Sequence, residues 1–169
     1  MSDTIPITEA GLRKLKEELK HLTSVERPKI SKEIEVARAH GDLKENAEYH
    51  AAKDKQGHIE GRIIDIGNWI ARAEVIDVSK LKGDRVVFGA TVVLVDQDTD
   101  KEVTYRIVGE PEADIKRRLI SISSPLARGL VGKSTGDVAT VQSPSGPREY
   151  EIVDVRFEDE EGEGAPATP

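Results

Sequence analysis

Cysteine is absent from the 169 residues, which closes off disulfides, thiol nucleophiles and cysteine-based zinc or iron–sulfur sites. Aromatics are nearly as scarce, with one Trp, two Phe and three Tyr, so the chain lacks the rings for a thick aromatic core. Long apolar runs are missing as well. The most apolar stretch, Val86 to Val95, is about half of the roughly 20 residues that a membrane span requires. Met1-Ser2-Asp3-Thr4 has neither the basic nor the apolar region of a secretory leader, and the expectation is a soluble, cytoplasmic protein.

What the chain has in quantity is charge, with 25 Lys+Arg against 32 Asp+Glu for a net of -7. The excess is local. Residues 1–77 and 78–157 are balanced or nearly so, whereas 158–169 holds Glu158, Asp159, Glu160, Glu161 and Glu163 and no base. With Gly162, Gly164, Pro166 and Pro169 among few apolar residues, 158–169 is expected to be a disordered, solubilising acidic tail.

Periodicity divides the remainder in two. Thr8 is a candidate N-cap, and Leu12, Leu15, Leu19 and Leu22 follow at helical spacing. Val25, Ile30, Ile34 and Ala37 continue that stripe out of phase, and Pro28 near the shift predicts a kink or local break. A second helix carries Ala52, Gln56, Ile59, Ile63, Ile66, Ile70 and Ala73 at alternating steps of four and three, the spacing of a heptad seam. Gly57, Gly61 and Gly67 weaken that helix by about 1 kcal/mol each, so packing has to hold it. His40-Gly41-Asp42-Leu43 between the two predicts a tight reversal and an antiparallel hairpin over residues 1–77, with its turn at 41–46 exposed at the far end. From residue 78 to 157 the period changes. Strands are expected at Arg85–Phe88, Ala90–Val95, Val103–Val108, Leu119–Ile122, Asp137–Gln142 and Glu149–Phe157, with a short helix from Pro125 to about Leu130. The fold class is α+β: a helical hairpin followed by a small antiparallel-sheet domain.

The hairpin turn is where chemistry would reside. Asp42 and Glu45, three apart, share one face at a helix start and offer two oxygen ligands to a hard cation such as Mg²⁺. The same spacing serves equally as a helix cap, with Asp42 as N-cap and Glu45 reaching back. A zinc site from His40, Asp42 and His50 is a further alternative, although no helical i,i+4 histidine pair supports it. Arg38, Lys44, Lys53 and Lys55 near the turn would suit a phosphate backbone, but Glu33, Glu35, Glu48 and Asp54 are interleaved with them. Spacing leaves these readings open.

The run from Ala37 to Ala52, ARAHGDLKENAEYHAA, resembles the coil tip of the bacterial Gre transcript-cleavage factors, in particular the GreA type. Ile59–Ile63 (IEGRI), Val87–Thr91 (VFGAT), Tyr105–Gly109 (YRIVG) and Ile120–Gly129 (ISISSPLARG) match in the same order, so the resemblance covers about residues 5 to 157. It implies an N-terminal antiparallel coiled coil and an FKBP-like C-terminal domain. It further implies that the globular domain docks on the rim of the secondary channel of bacterial RNA polymerase while the coil passes toward the active centre. The family's metal-handling acids fall on Asp42 and Glu45, its docking loop on Ser123, Ser124 and Pro125, and its RNA-contacting basic patch on Arg38 and Lys53. Mg²⁺ would then be shared with the polymerase and not held tightly by the free protein. The partners implied are the polymerase and the 3′ end of nascent RNA, with no membrane, and the factor would act as a monomer that stimulates the polymerase's own hydrolysis rather than as an enzyme. The competing functions are a coiled-coil adaptor or chaperone with a peptide-binding domain, a channel-blocking inhibitor of the polymerase, and a self-sufficient metal nuclease.

Overall fold

The computed structural model describes residues 4–41 and 46–158. Among these, residues 12–72 form one compact unit, and residues 4–11 with 73–158 form the other. The boundary expected between 77 and 78 therefore falls at 72/73, and the first few residues belong with the sheet unit. The reason is a pair of four-residue strands, β1 (Ile5–Thr8) and β2 (Ala73–Ile76), which run parallel from Ile5↔Ala73 to Thr8↔Ile76. The acidic segment beyond Glu158, expected to be disordered, lies outside the described residues.

The helical unit is made of α1 (Glu9–His21), α2 (Arg27–Arg38) and α3 (Ala47–Arg72). Thr8 caps α1 as expected, its Oγ1 accepting from the Gly11 N–H at 3.0 Å. Between α1 and α2 the backbone makes one π-helical turn, Leu22–Glu26, closed by the Arg27 N–H donating to the Leu22 carbonyl. This is how the chain absorbs Pro28, whose ring would crowd the carbonyl four residues back in a regular α-helix. Thr23 and Ser24 donate their hydroxyls to carbonyls of the preceding turn, Leu19 and Lys20. The wide turn also rotates the apolar stripe: Val25 is left 47% exposed, and Ile30, Ile34 and Ala37 become the buried face of α2.

On α3 the buried residues are Ala52, Ile59 and Ile66, every seventh position of the expected seam. Ile30 and Ile34 pack with Ala52 and Ile59, joined by Leu22, Tyr49 and Ile63. Two bidentate ion pairs flank the seam. Arg62 holds Glu18 at 2.6 and 2.8 Å, and Arg27 holds Glu60 at 2.9 and 2.8 Å. Arg62 also lies over the Trp69 ring, 5.2 Å from its centroid.

In the other unit, β3 (Thr91–Asp96), β4 (Glu102–Val108), β5 (Leu119–Ser121), β6 (Val138–Ser143) and β7 (Gly146–Arg156) form one sheet in the order β5-β4-β3-β7-β6. The small antiparallel sheet expected is there, and β5 extends it at one edge by pairing parallel with β4, all other neighbours being antiparallel. Residues 85–88, expected to be a strand, are not one: Arg85 makes an isolated bridge with Ser134, and Val86 exchanges backbone hydrogen bonds with Lys133 and Gly132. Val86 is nonetheless fully buried in the core with Val92, Leu94, Ile107, Leu130 and Ile152. The helix α4 (Pro125–Leu130) packs on this core through Ala127 and Leu130. A Cβ on Gly129 would meet Val141 Cγ2 at 3.0 Å and the Thr140 carbonyl at 3.2 Å, so glycine permits α4 to approach β6 this closely.

Gly57, Gly61 and Gly67 have open space where a Cβ would sit. Each change to Ala should therefore stabilise the helical unit by about 0.5–1 kcal/mol, read as a rise in the thermal midpoint followed by fluorescence of the sole tryptophan, Trp69. The ion pairs add a pH dependence. Hydrogen bonds from Arg62 and Arg27 hold Glu18 and Glu60 below the ordinary carboxylate range. A depressed carboxyl stabilises the fold above its unfolded value, about 4.3, and that contribution is lost as pH falls through the folded value. The Trp69 midpoint should accordingly drop on acidification below about pH 4, and Glu18→Gln should flatten that drop. An identical acid profile in wild type and variant would show that the pair carries no linked stability.

Candidate functional site

At the end of α2 the helix leaves carbonyls, and at the start of α3 it leaves amides, that need partners outside the helix. One side chain serves both. Asn46 Nδ2 donates to the Ala37 carbonyl at 2.7 Å, and Asn46 Oδ1 accepts from the Tyr49 N–H at 3.0 Å. The Asn46 carbonyl also accepts from the His50 N–H at 3.2 Å. Asn46 is thus the N-cap of α3, three residues before Tyr49. The capping box expected from Asp42 and Glu45 is not what starts this helix. Gly41, at a φ of 108°, turns the chain out of α2 after its amide bonds the Arg38 carbonyl at 3.3 Å. Asp42 and Glu45 themselves lie outside the described residues.

Other residues singled out near the turn are among those described. Arg38, at the end of α2, and Lys53, in the second turn of α3, are both exposed, and Lys53 Nζ donates to Gln56 Oε1 at 3.1 Å. His40 Nδ1 lies 3.5 Å from Glu48 Oε2, and the His50 ring meets the Tyr49 ring edge-on at 5.5 Å. Among the described residues no three metal-ligating side chains converge. The zinc alternative also needs Asp42, which lies outside them.

The second candidate surface is the loop after β5. The Ser121 and Ser123 hydroxyls are 2.8 Å apart, and the Ser123 N–H donates to Ser121 Oγ at 3.2 Å. Ser124 Oγ accepts from the Ala127 N–H at 3.2 Å as the N-cap of α4, and Pro125 follows at its first position. Ser124 is therefore committed to the helix, while Ser123 and Pro125 remain exposed. Asn46 went unrecognised in the sequence, although an asparagine six residues ahead of Ala52, where the seam of the second helix begins, carries the signal of a cap.

Arg38, Lys53, Ser123 and Pro125 are all exposed, where the surface of a macromolecule can reach them. The family profile "Transcription elongation factor, N-terminal" matches residues 5–75, and "Transcription elongation factor, GreA/GreB, C-term" matches 81–157. The transcription elongation factor GreA of Anaeromyxobacter sp. (strain K) is 64% identical over 157 residues, which is 93% of this chain and 95% of that protein. GreA of Rickettsia canadensis (strain McKiel) is 56% identical over 157 residues, 93% of this chain and 97% of that protein. Among solved structures, the GreA factor homolog 1 protein of Thermus thermophilus is 24% identical, covers 90% of this chain and 99% of its own, and superposes with a TM-score of 0.42. The sequence matches alone decide the assignment: the chain belongs to the GreA/GreB family of transcription elongation factors. No helix among the described residues is long and apolar enough to cross a membrane.

Replacing Asn46 by Ala removes the cap of α3 and the bond to Ala37 together. The expected cost is about 1–2 kcal/mol, with faster amide exchange at Tyr49 and His50 and little change in the sheet unit. Asn46→Asp, which keeps the acceptor and loses the donor, should restore protection at Tyr49.

Proposed function

We propose that this chain stimulates the Mg²⁺-dependent hydrolysis of backtracked RNA by bacterial RNA polymerase, with Asp42 and Glu45 carried by the hairpin turn into the polymerase active centre. The observation that supports this reading is the cap made by Asn46, whose side chain serves both the end of α2 and the start of α3, so that the cap which the Asp42–Glu45 spacing equally suggested is supplied by another residue. Carboxylate oxygens are the ligands a hard cation takes, and Mg²⁺ commonly binds one or two of them alongside phosphates and waters. Bound between polymerase and RNA, the cation would lower the pKa of the attacking water and neutralise charge on the phosphodiester. Asp42 and Glu45 supply ligand oxygens and help orient the water, and the hairpin positions them, which is a contribution of placement rather than of covalent chemistry. Arg38 and Lys53, exposed on α2 and α3, would meet RNA phosphates, and the Ser123–Pro125 loop would meet the channel rim. The factor acts through the polymerase and is not itself a nuclease: two acids with a net charge of -7 behind them are a poor site for naked RNA.

The adaptor reading draws no support from the aromatic residues of the sheet unit, since Tyr105, Tyr150 and Phe157 pack against its core. The test is a stalled, backtracked polymerase with end-labelled RNA, given wild type, Asp42→Ala or Glu45→Ala. Wild type should accelerate cleavage, and both variants should lose about 10²-fold or more of that stimulation while still competing with wild type for the polymerase. Equal stimulation by the variants would remove the metal role. Competition without cleavage by wild type would make the chain a channel blocker.

A further inference from the structure

We propose that the groove between α2 and α3 is a docking site for a second copy of this chain, the two helical units pairing antiparallel about a two-fold axis at Ala51 and Ala52. The groove holds about 470 Å³. Its floor is made of small side chains: Ala37 and Ala52 are buried, and Ala51 beside them is exposed. Val36 stands at its edge, 49% exposed. An alanine floor lets another helix come to about 8 Å between axes, the short end of the packing range. Charged side chains ring the groove, Lys32 and Glu33 from α2 and Glu48 and Lys55 from α3. Among the described residues Lys32, Glu33 and Lys55 form no ion pair. Glu48, its side chain 75% exposed, has His40 Nδ1 at 3.5 Å.

The order of the charges selects a second copy as the occupant. Glu48 and Lys55 are seven residues apart on α3, about 10.5 Å along its axis, and Ala51 and Ala52 lie midway between them. A two-fold axis at that midpoint, perpendicular to the helix, brings Glu48 of one copy level with Lys55 of the other, and the reverse. The face is therefore complementary to itself, as an isologous interface requires. A parallel pairing in the same register would set like charge against like. The α2 side obeys the same symmetry. It runs antiparallel to α3 from the bond between Asn46 and the Ala37 carbonyl, so Val36 lies toward the Glu48 end and Lys32 toward the Lys55 end. The axis carries Val36 of one copy over Ala51, Ala52 and the methylene stem of Lys55 in the other, and it gives Glu48 a second cation in Lys32. The overlap is about three helical turns per arm, less than a standard interface buries, so the pair forms at high concentration and separates on dilution.

This inference does not rest on the polymerase reading and is tested on the free protein. Sedimentation velocity of the full chain at low ionic strength, from about 10 µM to about 1 mM, should show a monomer–dimer equilibrium. Lys55→Glu sets a glutamate against Glu48 of the other copy and should raise the dimer dissociation constant at least about tenfold. Glu48→Lys should do the same, and the two changes together should return the constant to within about threefold of wild type. Ala51→Gln fills the floor without adding charge and should weaken pairing at least about tenfold as well. The thermal midpoint of Trp69 fluorescence at the lowest concentration, where the chain is monomeric, should stay within about 4 °C of wild type for Lys55→Glu and Ala51→Gln, which separates a lost interface from a lost fold. Because the chain has no cysteine, Gly61→Cys and Asn68→Cys each carry a single spin label. In the antiparallel pair each residue away from the axis adds about 3 Å between the two labels, so the separation should be about 20 Å longer at 68 than at 61. A chain that stays monomeric over the whole range overturns the proposal. So does a dimer indifferent to Lys55→Glu and Ala51→Gln, a double reversal no tighter than either single one, or a label separation equal at the two sites.

Discussion

Every helix that stops in a reversal leaves polar backbone groups with nothing in the helix to bond, and the hairpin exists only because those groups are met by something short. Asn46 meets them with a single amide, its donor turned to α2 and its acceptor to α3. An aspartate in that position would match the acceptor and lose the link to Ala37. A serine would reach one helix and not the other. The cap of α3 and the partner for the end of α2 are thus one residue, and a change there acts on both helices.

A comparable economy holds the root of the sheet unit. The Glu112 carboxylate accepts from the Thr8 hydroxyl as well as from the Thr8 and Gly109 amides. Thr8 is fully buried, so an unpaired hydroxyl or amide there would be costly. The close fit excludes side chains around it: a Cβ on Gly11 would run into Glu112, and one on Gly109 into the Pro6 carbonyl. Glycine at 109 is thus explained by the approach of β1, not by any turn.

The sequence made the long-period features legible and hid the short ones. Ala52, Ile59 and Ile66 repeat over four turns, and a repeat of that length is decisive whatever surrounds it. The β-branched runs that became β3 and β4 were equally plain. By contrast β1 and β2 have four residues each and pair across a separation of 68 positions, so no local pattern announces them. Val86 looked like part of a strand because burial and β-branching are shared by strands and buried loops, yet its backbone bonds go to Lys133 and Gly132 instead of a ladder. Pro28 foretold a disturbance in the first helix, but whether the chain would bend, break or widen depended on how Leu22 and Ile30 had to face α3. The loop at Ser123–Pro125 was visible as a helix start, and the division of labour between Ser124, which caps, and Ser123, which stays outside, needed coordinates.

The parallel pairing of β1 with β2 makes the helical unit a cassette, because the strand that leads into it and the strand that leads out are fastened to each other. Its length is then a free variable for engineering. Excising one heptad from each arm at matched positions would keep the seam in register and shorten the arm by about 10.5 Å, without asking the sheet to change. A ladder of such truncations would serve as a molecular ruler, graduated in heptads.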